Sequence, residues 1–234
     1  MNQPIPQPPP PTPPSMRLIA TLGLIAMFSG LAIVLVYQIT FEPIARNRRE
    51  ALEKAVFDVL PNAVQRVNYR VDQDGLTRVE GNEVASANAY AGYTEDGRLV
   101  GLALPASARG YADVIRVLYG YDPVREIIIG FKVLQSAETP GLGDKIETDP
   151  AFLQNFEALS VKLNEEKSAL LHDVVTVKRG QKNEPWQIDG ITGATVSSMA
   201  IGQALRESTA ELLPLLAPHV DVLREAPSSD GGTS

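Results

Sequence analysis

Two short runs in this chain hold residue types and spacings from which chemistry can be built. The first is Glu138-Thr-Pro-Gly-Leu-Gly-Asp144, placed directly after the most strand-like stretch. Pro140-Gly141 and Gly143 force a tight, irregular loop that exposes backbone N–H groups. Such a loop can approach a flat ring or a phosphate closely, because glycine has no side chain in the way. No Gly-Lys-Ser/Thr follows, so this is not a Walker loop, and it is not a GxGxxG run before a helix. Taken alone, an ordinary turn is its default account. The second run is Asp189-Gly-Ile-Thr-Gly-Ala-Thr195, which enters a helix at Val196. Gly193 and Ala194 are small and leave Thr195 exposed at the helix start. Unpaired N–H donors and the positive end of the helix dipole stabilise a phosphate there. Ordinary capping by Thr192, Thr195 or Ser197 is the competing account.

The composition narrows the chemistry. The 234 residues contain no cysteine and two histidines, His172 and His219. Thiolate zinc sites, iron–sulfur clusters, CxxCH haem attachment and cysteine nucleophiles are therefore excluded. No catalytic set and no metal-ligating set is offered. A formal charge of −7 argues against nucleic acid as the main partner, because a phosphate-binding face needs clustered Lys and Arg. If the chain does redox chemistry, an organic cofactor must carry it. Asp189 and Glu138 as a hydrolytic carboxylate pair explain less than the motifs that flank them. Trp186 reads as core or pocket wall, and His172 as a surface or loop residue.

The elements that must position these runs follow from the pattern. Eight of the 18 prolines fall in the first 14 residues, which predicts an extended, solvated arm over 1–17. Leu18 to Ile39 carries no charge. As a helix it measures roughly 33 Å at about 1.5 Å per residue, enough to cross a bilayer core of about 30 Å. The spacing predicts an uncleaved transmembrane helix over 18–39, in preference to a signal peptide or a soluble core helix. A helical stalk follows over 40–62. Within it Ala51, Ala55, Val56, Val59 and Leu60 recur at helical spacing and Pro61-Asn62 stops the helix. Residues 63–218 form the globular body, with strands expected at 84–93, 98–104, 111–118 and 125–135 and a hairpin turn at Asp96-Gly97. A short helix begins at Asp149-Pro150. Further strands are expected at Val174 to Val177 and near Trp186, and a final helix from Val196 to Leu213, ended by Pro214. Residues 219–234 are a polar tail. The fold class is α+β: one N-terminal transmembrane helix and one domain built from runs of strands with a few helices.

The Asp-x-x-Thr-Gly-Ala-Thr run resembles the flavinylation motif of membrane-bound flavoproteins. Its five specified positions would recur by chance in roughly one in a few thousand chains of this length. The Glu-Thr-Pro-Gly-Leu-Gly run resembles the second hallmark of the same domain, in the expected order. Gly110-Tyr111-Ala112-Asp113-Val114-Ile115 is similar to a third. Together with the span and stalk, the resemblance covers residues 18 to about 213. It is strongest to the G subunit of the Rnf ion-translocating electron transport complex, with the C subunit of the sodium-pumping NADH:quinone reductase as a relative. The Pro-rich arm departs from that pattern.

The resemblance implies FMN attached covalently to Thr195 through a phosphoester, made by a flavin transferase that uses FAD as donor. Thr192, Gly193 and Ala194 would shape the loop around the phosphate, and Asp189 would belong to the transferase recognition motif. Glu138, Thr139, Gly141, Leu142 and Gly143 would lie near the ring. It also implies a membrane-anchored electron carrier, partnered by the other membrane subunits of a complex that moves Na⁺ or H⁺. The flavin domain would then lie outside the cytoplasm. Charge alone points the other way, since only Arg17 precedes the span while Arg46, Arg48 and Arg49 follow it. The expectation carried forward is the extracytoplasmic one. Two rival functions remain: a flavinylated domain serving a different membrane reductase, and a membrane-anchored binding or assembly module without a cofactor.

Overall fold

A computed structural model describes residues 15–81 and 86–226. Residues 1–14 of the arm expected over 1–17, the first two positions of the strand expected at 84–93, and residues 227–234 of the tail expected over 219–234 lie outside the described residues. The chain divides into two compact units between Glu50 and Ala51.

The first unit is helical. Helix α1 spans Ser15–Val59 and includes Pro43; its residues from Ala51 belong to the second unit. Its apolar side chains from Leu18 to Phe41 are exposed, and it is long and apolar enough to cross a membrane. Two of its hydroxyls bond back to the helix: Thr21 donates to the Arg17 carbonyl and Thr40 to the Val36 carbonyl, both at 2.8 Å. In hydrocarbon, where no water can serve them, such groups need a partner of this kind.

The second unit is built on one antiparallel sheet. Its strands are β1 (Gln65–Asp72), β2 (Gly75–Arg78), β3 (Ala89–Tyr93), β4 (Leu99–Arg109), β5 (Val114–Asp122), β6 (Ile127–Gln135) and β7 (Leu159–Ser160). They lie in the order β2-β1-β3-β4-β5-β6-β7. A separate parallel pair joins β8 (Val175–Val177) to β9 (Gln187–Asp189). Short helices α2 (Lys145–Thr148) and α3 (Pro150–Leu153) precede β7, and α4 (Thr195–Leu216) follows β9.

Both faces of the central strands are covered, each by a different helix. Side chains alternate across a strand, so Leu102, Leu104, Val117, Tyr119 and Tyr121 share one core with Ile201, Ala204, Leu205 and Leu213 of α4. Tyr90, Ala103 and Leu118 point the other way and pack with Ala55, Val56, Val59 and Leu60. This double cover is why all five residues of β3 are buried.

A polar bridge fixes α4 on its face. The Ser208 hydroxyl donates to the Pro105 carbonyl at 2.8 Å and lies 3.0 Å from the Tyr119 hydroxyl. Burial pushes the Tyr119 phenol up. The phenol is therefore a donor inside the core, and Ser208 is its acceptor.

On the opposite face a row of glycines crosses the sheet. Gly92 pairs with Gly101 and Gly120 with Gly130, while Ala103 pairs with Gly120. The end of the 51–60 segment sits in this row. A Cβ at Gly92 would lie 2.6 Å from Leu60 Cδ1, and a Cβ at Gly120 or Gly130 would collide with the Val59 carbonyl oxygen. Close approach of backbone to backbone is what glycine permits here.

Five expectations need correction. Residues 15–17, expected in the arm, open α1. Part of the expected tail is folded: Val220–Leu223 forms a short helix, α5, with Leu223 buried, and the Leu99 N–H donates to the Arg224 carbonyl at 3.1 Å. A first hairpin, β1–β2, precedes the earliest strand expected. Val67, Tyr69 and Val71 alternate with Arg66, Asn68 and Arg70, the period-two pattern of a half-buried strand. Pro214 does not end α4, which continues to Leu216. The bond Pro214 forfeits leaves the carbonyl of Ala210, an exposed residue that water can serve. The strand expected at 111–118 begins only at Val114, because Gly110 N–H donates to the Asp113 carbonyl at 2.8 Å and closes a turn. The helix expected at Asp149-Pro150 is α3, whose first N–H groups (Ala151, Phe152) donate to the Asp149 carboxylate at 3.0 and 3.3 Å.

The glycine row yields a test. Gly130→Ala forces the Val59 backbone off the sheet, and overpacking of this kind costs about 1–3 kcal/mol. The full chain in detergent should unfold at a lower temperature or denaturant concentration than wild type. An unchanged midpoint would mean that the row does not seat the segment.

Candidate functional site

The site lies where three loops meet at the start of α4. The Glu138 side chain is the centre of the junction and is only 6% exposed. One carboxylate oxygen accepts from the Ala112 N–H at 3.0 Å, and the other accepts from the Ser197 hydroxyl. A buried carboxylate needs such donors, because burying it unpaired is expensive. Its two bonds tie the Gly110–Asp113 turn to the loop after β6 and to the first turn of α4.

Glycine makes room for this carboxylate. A Cβ at Gly110 would lie 2.5 Å from Glu138 Oε1. A Cβ at Gly143 would lie 2.7 Å from Glu138 Oε2 and 2.9 Å from Ser197 Oγ. The Glu138–Gly143 loop holds its own shape, with the Leu142 and Gly143 N–H groups donating to the Thr139 carbonyl at 3.1 and 3.0 Å. Gly141 adopts φ +78°, a conformation that favours glycine.

The second run forms the entrance to α4. Gly193 adopts φ +86° and Ala194 is the N-cap. Ala194 offers no side-chain cap, so the first-turn N–H groups keep their donors free. Thr195 is the first helical residue and is exposed. Nothing among the described residues hydrogen-bonds to its hydroxyl. Ser198 does the local stitching instead, donating to the Ala194 carbonyl at 2.9 Å and accepting from the Ile191 N–H at 3.4 Å.

Between these loops lies a cavity of about 450 Å³. The structure brings Glu138, Thr139, Leu142 and Gly143 to it from one run and Gly193, Ala194 and Thr195 from the other. Tyr111, Val196 and Ser197 complete the wall and were not among the expected site residues. Tyr111 stands 73% exposed at the rim, held out by the turn that delays β5. The glycine before Tyr111 and the continuity of Ser197 with the Thr195 run were the signals available for them.

Thr192, Gly141 and Asp189 do not line this cavity. The Asp189 carboxylate accepts from the Gly180 N–H at 2.6 Å. Its backbone is clamped by Asn155, which accepts from the Asp189 N–H at 3.0 Å and donates to the Asp189 carbonyl at 3.2 Å. Asp189 thus fixes the β9 end that leads into the Thr195 run. Trp186 lies elsewhere, stacked on His172 with ring centroids 3.8 Å apart.

Comparison with known proteins bears on this arrangement. Residues 110–210 match the FMN-binding domain family, a stretch that contains all three loops. The G subunit of the ion-translocating oxidoreductase complex of Methanosarcina acetivorans is 29% identical over 195 residues, covering 82% of this chain and 91% of that one. Its counterpart in Pseudomonas aeruginosa is 30% identical over 213 residues, covering 87% and 93%. The crystal structure of NqrC from Shewanella oneidensis has the same fold, with a TM-score of 0.56 at 17% identity over 76% of this chain and 98% of that one.

The contrast between Ser197 and Thr195 is testable. Ser197→Ala leaves one oxygen of a buried carboxylate without its donor, which costs about 1–3 kcal/mol. Thr195→Ala removes an exposed, unpartnered hydroxyl and should stay within about 0.5 kcal/mol of wild type. Denaturant unfolding of both variants without cofactor checks the pair. Equal effects would contradict the geometry.

Proposed function

The chain belongs to the family of G subunits of ion-translocating oxidoreductase complexes, and we propose that it carries FMN covalently, as a phosphoester on the Thr195 hydroxyl. The observation that carries this reading is the unpartnered Thr195 hydroxyl on the wall of the 450 Å³ cavity, at an uncapped helix start. A volume in this range suits a bound ring system. Free N–H donors and the positive end of the α4 dipole suit a phosphate. Gly143 and Gly110 keep the floor open beside Glu138, and Leu142 and Tyr111 offer apolar and aromatic surface at the rim.

Each residue then has a task. Thr195 anchors the cofactor, while Gly193 and Ala194 shape the approach to it. Glu138, Thr139, Leu142 and Gly143 form the wall against which the ring rests. Gly141 shapes that loop, Thr192 sits at the turn before the helix, and Asp189 braces the strand that delivers the acceptor. A bound flavin supplies one-electron and two-electron chemistry, so the protein has only to hold, orient and shield it. Covalent attachment keeps the carrier on the protein through repeated turnover.

The partners in this reading are the other membrane subunits of an oxidoreductase complex that moves Na⁺ or H⁺, and a flavin transferase during maturation. Helix α1 anchors the chain in the membrane, and the flavin domain faces the extracytoplasmic side.

A denaturing gel tests the attachment. Wild-type chain from a host that makes the flavin transferase should fluoresce under ultraviolet light as an unfolded band, with the intact mass of one FMN phosphoryl adduct. Thr195→Ala should lose the fluorescence entirely, while Thr192→Ala keeps at least part of it. A fluorescent Thr195→Ala band would place the bond on another residue.

A further inference from the structure

Among the described residues lining the cavity beside Thr195, Glu138 is the one with a formal charge, and no Lys or Arg lines it. Its hydrogen-bond partners are neutral: a backbone N–H and a serine hydroxyl. Two donors on one carboxylate suit the anion. They stabilise its charge without cancelling it, and 6% exposure leaves little water to screen it. The cavity therefore has a fixed negative charge in one wall and the positive end of α4 at the other.

A charge in that position does more than hold loops together. Reducing a flavin adds electron density to the ring, and a nearby anion opposes this wherever protons do not fully compensate. In a dehydrated wall the opposition is stronger than in water. We propose that Glu138 sets the reduction potential of the flavin carried on Thr195, holding it lower than an uncharged wall would. The proposal rests on the attachment reading above and adds to it a residue that tunes the cofactor by its field. Glu138 and Thr195 are 57 positions apart in the chain; they line one cavity, and the bond from Ser197 ties the carboxylate to the first turn of α4.

Glu138→Gln isolates the charge. Glutamine keeps the shape, its amide oxygen accepts from the Ala112 N–H, and its amide nitrogen donates to the Ser197 oxygen. Glu138→Asp keeps the charge and withdraws it by one methylene. The experiment is a potentiometric titration of full-length, flavin-loaded chain in detergent at neutral pH, followed in the visible flavin bands. Glu138→Gln should shift the midpoint upward, and Glu138→Asp should stay nearer to wild type. A Glu138→Gln midpoint equal to or below wild type would overturn the proposal. So would an Asp variant that shifts upward as far as the Gln variant. Glu138→Gln protein that takes up no covalent flavin, beside a fully loaded wild type, would also overturn it, because the charge would then serve attachment. A wild-type band without fluorescence is a different failure: it removes the Thr195 reading itself, and this proposal with it.

Discussion

A carboxylate taken out of water has to be given donors, and much of the site follows from how Glu138 obtains its two. One comes from the backbone of the Gly110–Asp113 turn and the other from Ser197 on the first turn of α4. Three segments distant in sequence are thereby held at one point. Gly110 and Gly143 are constrained by the same carboxylate, since a side chain at either would occupy its place. Replacing the group by something apolar would not reproduce this, because the donors it serves would be left unpaired.

That junction works only because α4 lies in a fixed position on the sheet. Its buried face packs against β4 and β5, and Ser208 links it to Tyr119 and to the Pro105 carbonyl. A slide of the helix by one turn would break that bridge and carry Thr195 away from the cavity. The other face of the same strands holds the 51–60 segment in the glycine row. The central strands are thus sandwiched, close-packed on both faces and hard to deform. The rigid body of the domain lies behind a site made of short loops and one helix end.

The rim of the cavity contrasts with its floor. Glu138, Ala194 and Ser197 are buried, whereas Tyr111, Leu142, Thr195 and Val196 are exposed. A tethered cofactor is compatible with such an opening, because retention does not depend on enclosing it. Electron exchange also requires close approach, which an open rim allows.

Much of this was legible in the residues themselves. The apolar run from Leu18 declares a membrane-length helix by length and lack of charge. The Asp149-Pro150 start of α3, the Asp96-Gly97 turn and the two glycine-rich runs each follow from local chemistry, because φ preferences and capping act over a few residues. Where long-range geometry decided, sequence was silent or misleading. The β1–β2 hairpin precedes the earliest strand expected, because alternation over so few residues becomes a strand only once β2 and β3 pair with it. Pro214 looked like a stop, yet an exposed carbonyl let α4 run on. By itself the sequence determined which segments could form a phosphate-suited helix start and a ring-suited loop, since these depend on neighbouring residues. Only the tertiary structure decided that they face one cavity, with Glu138 buried between them, because that required pairing strands and packing α4 across more than fifty intervening positions.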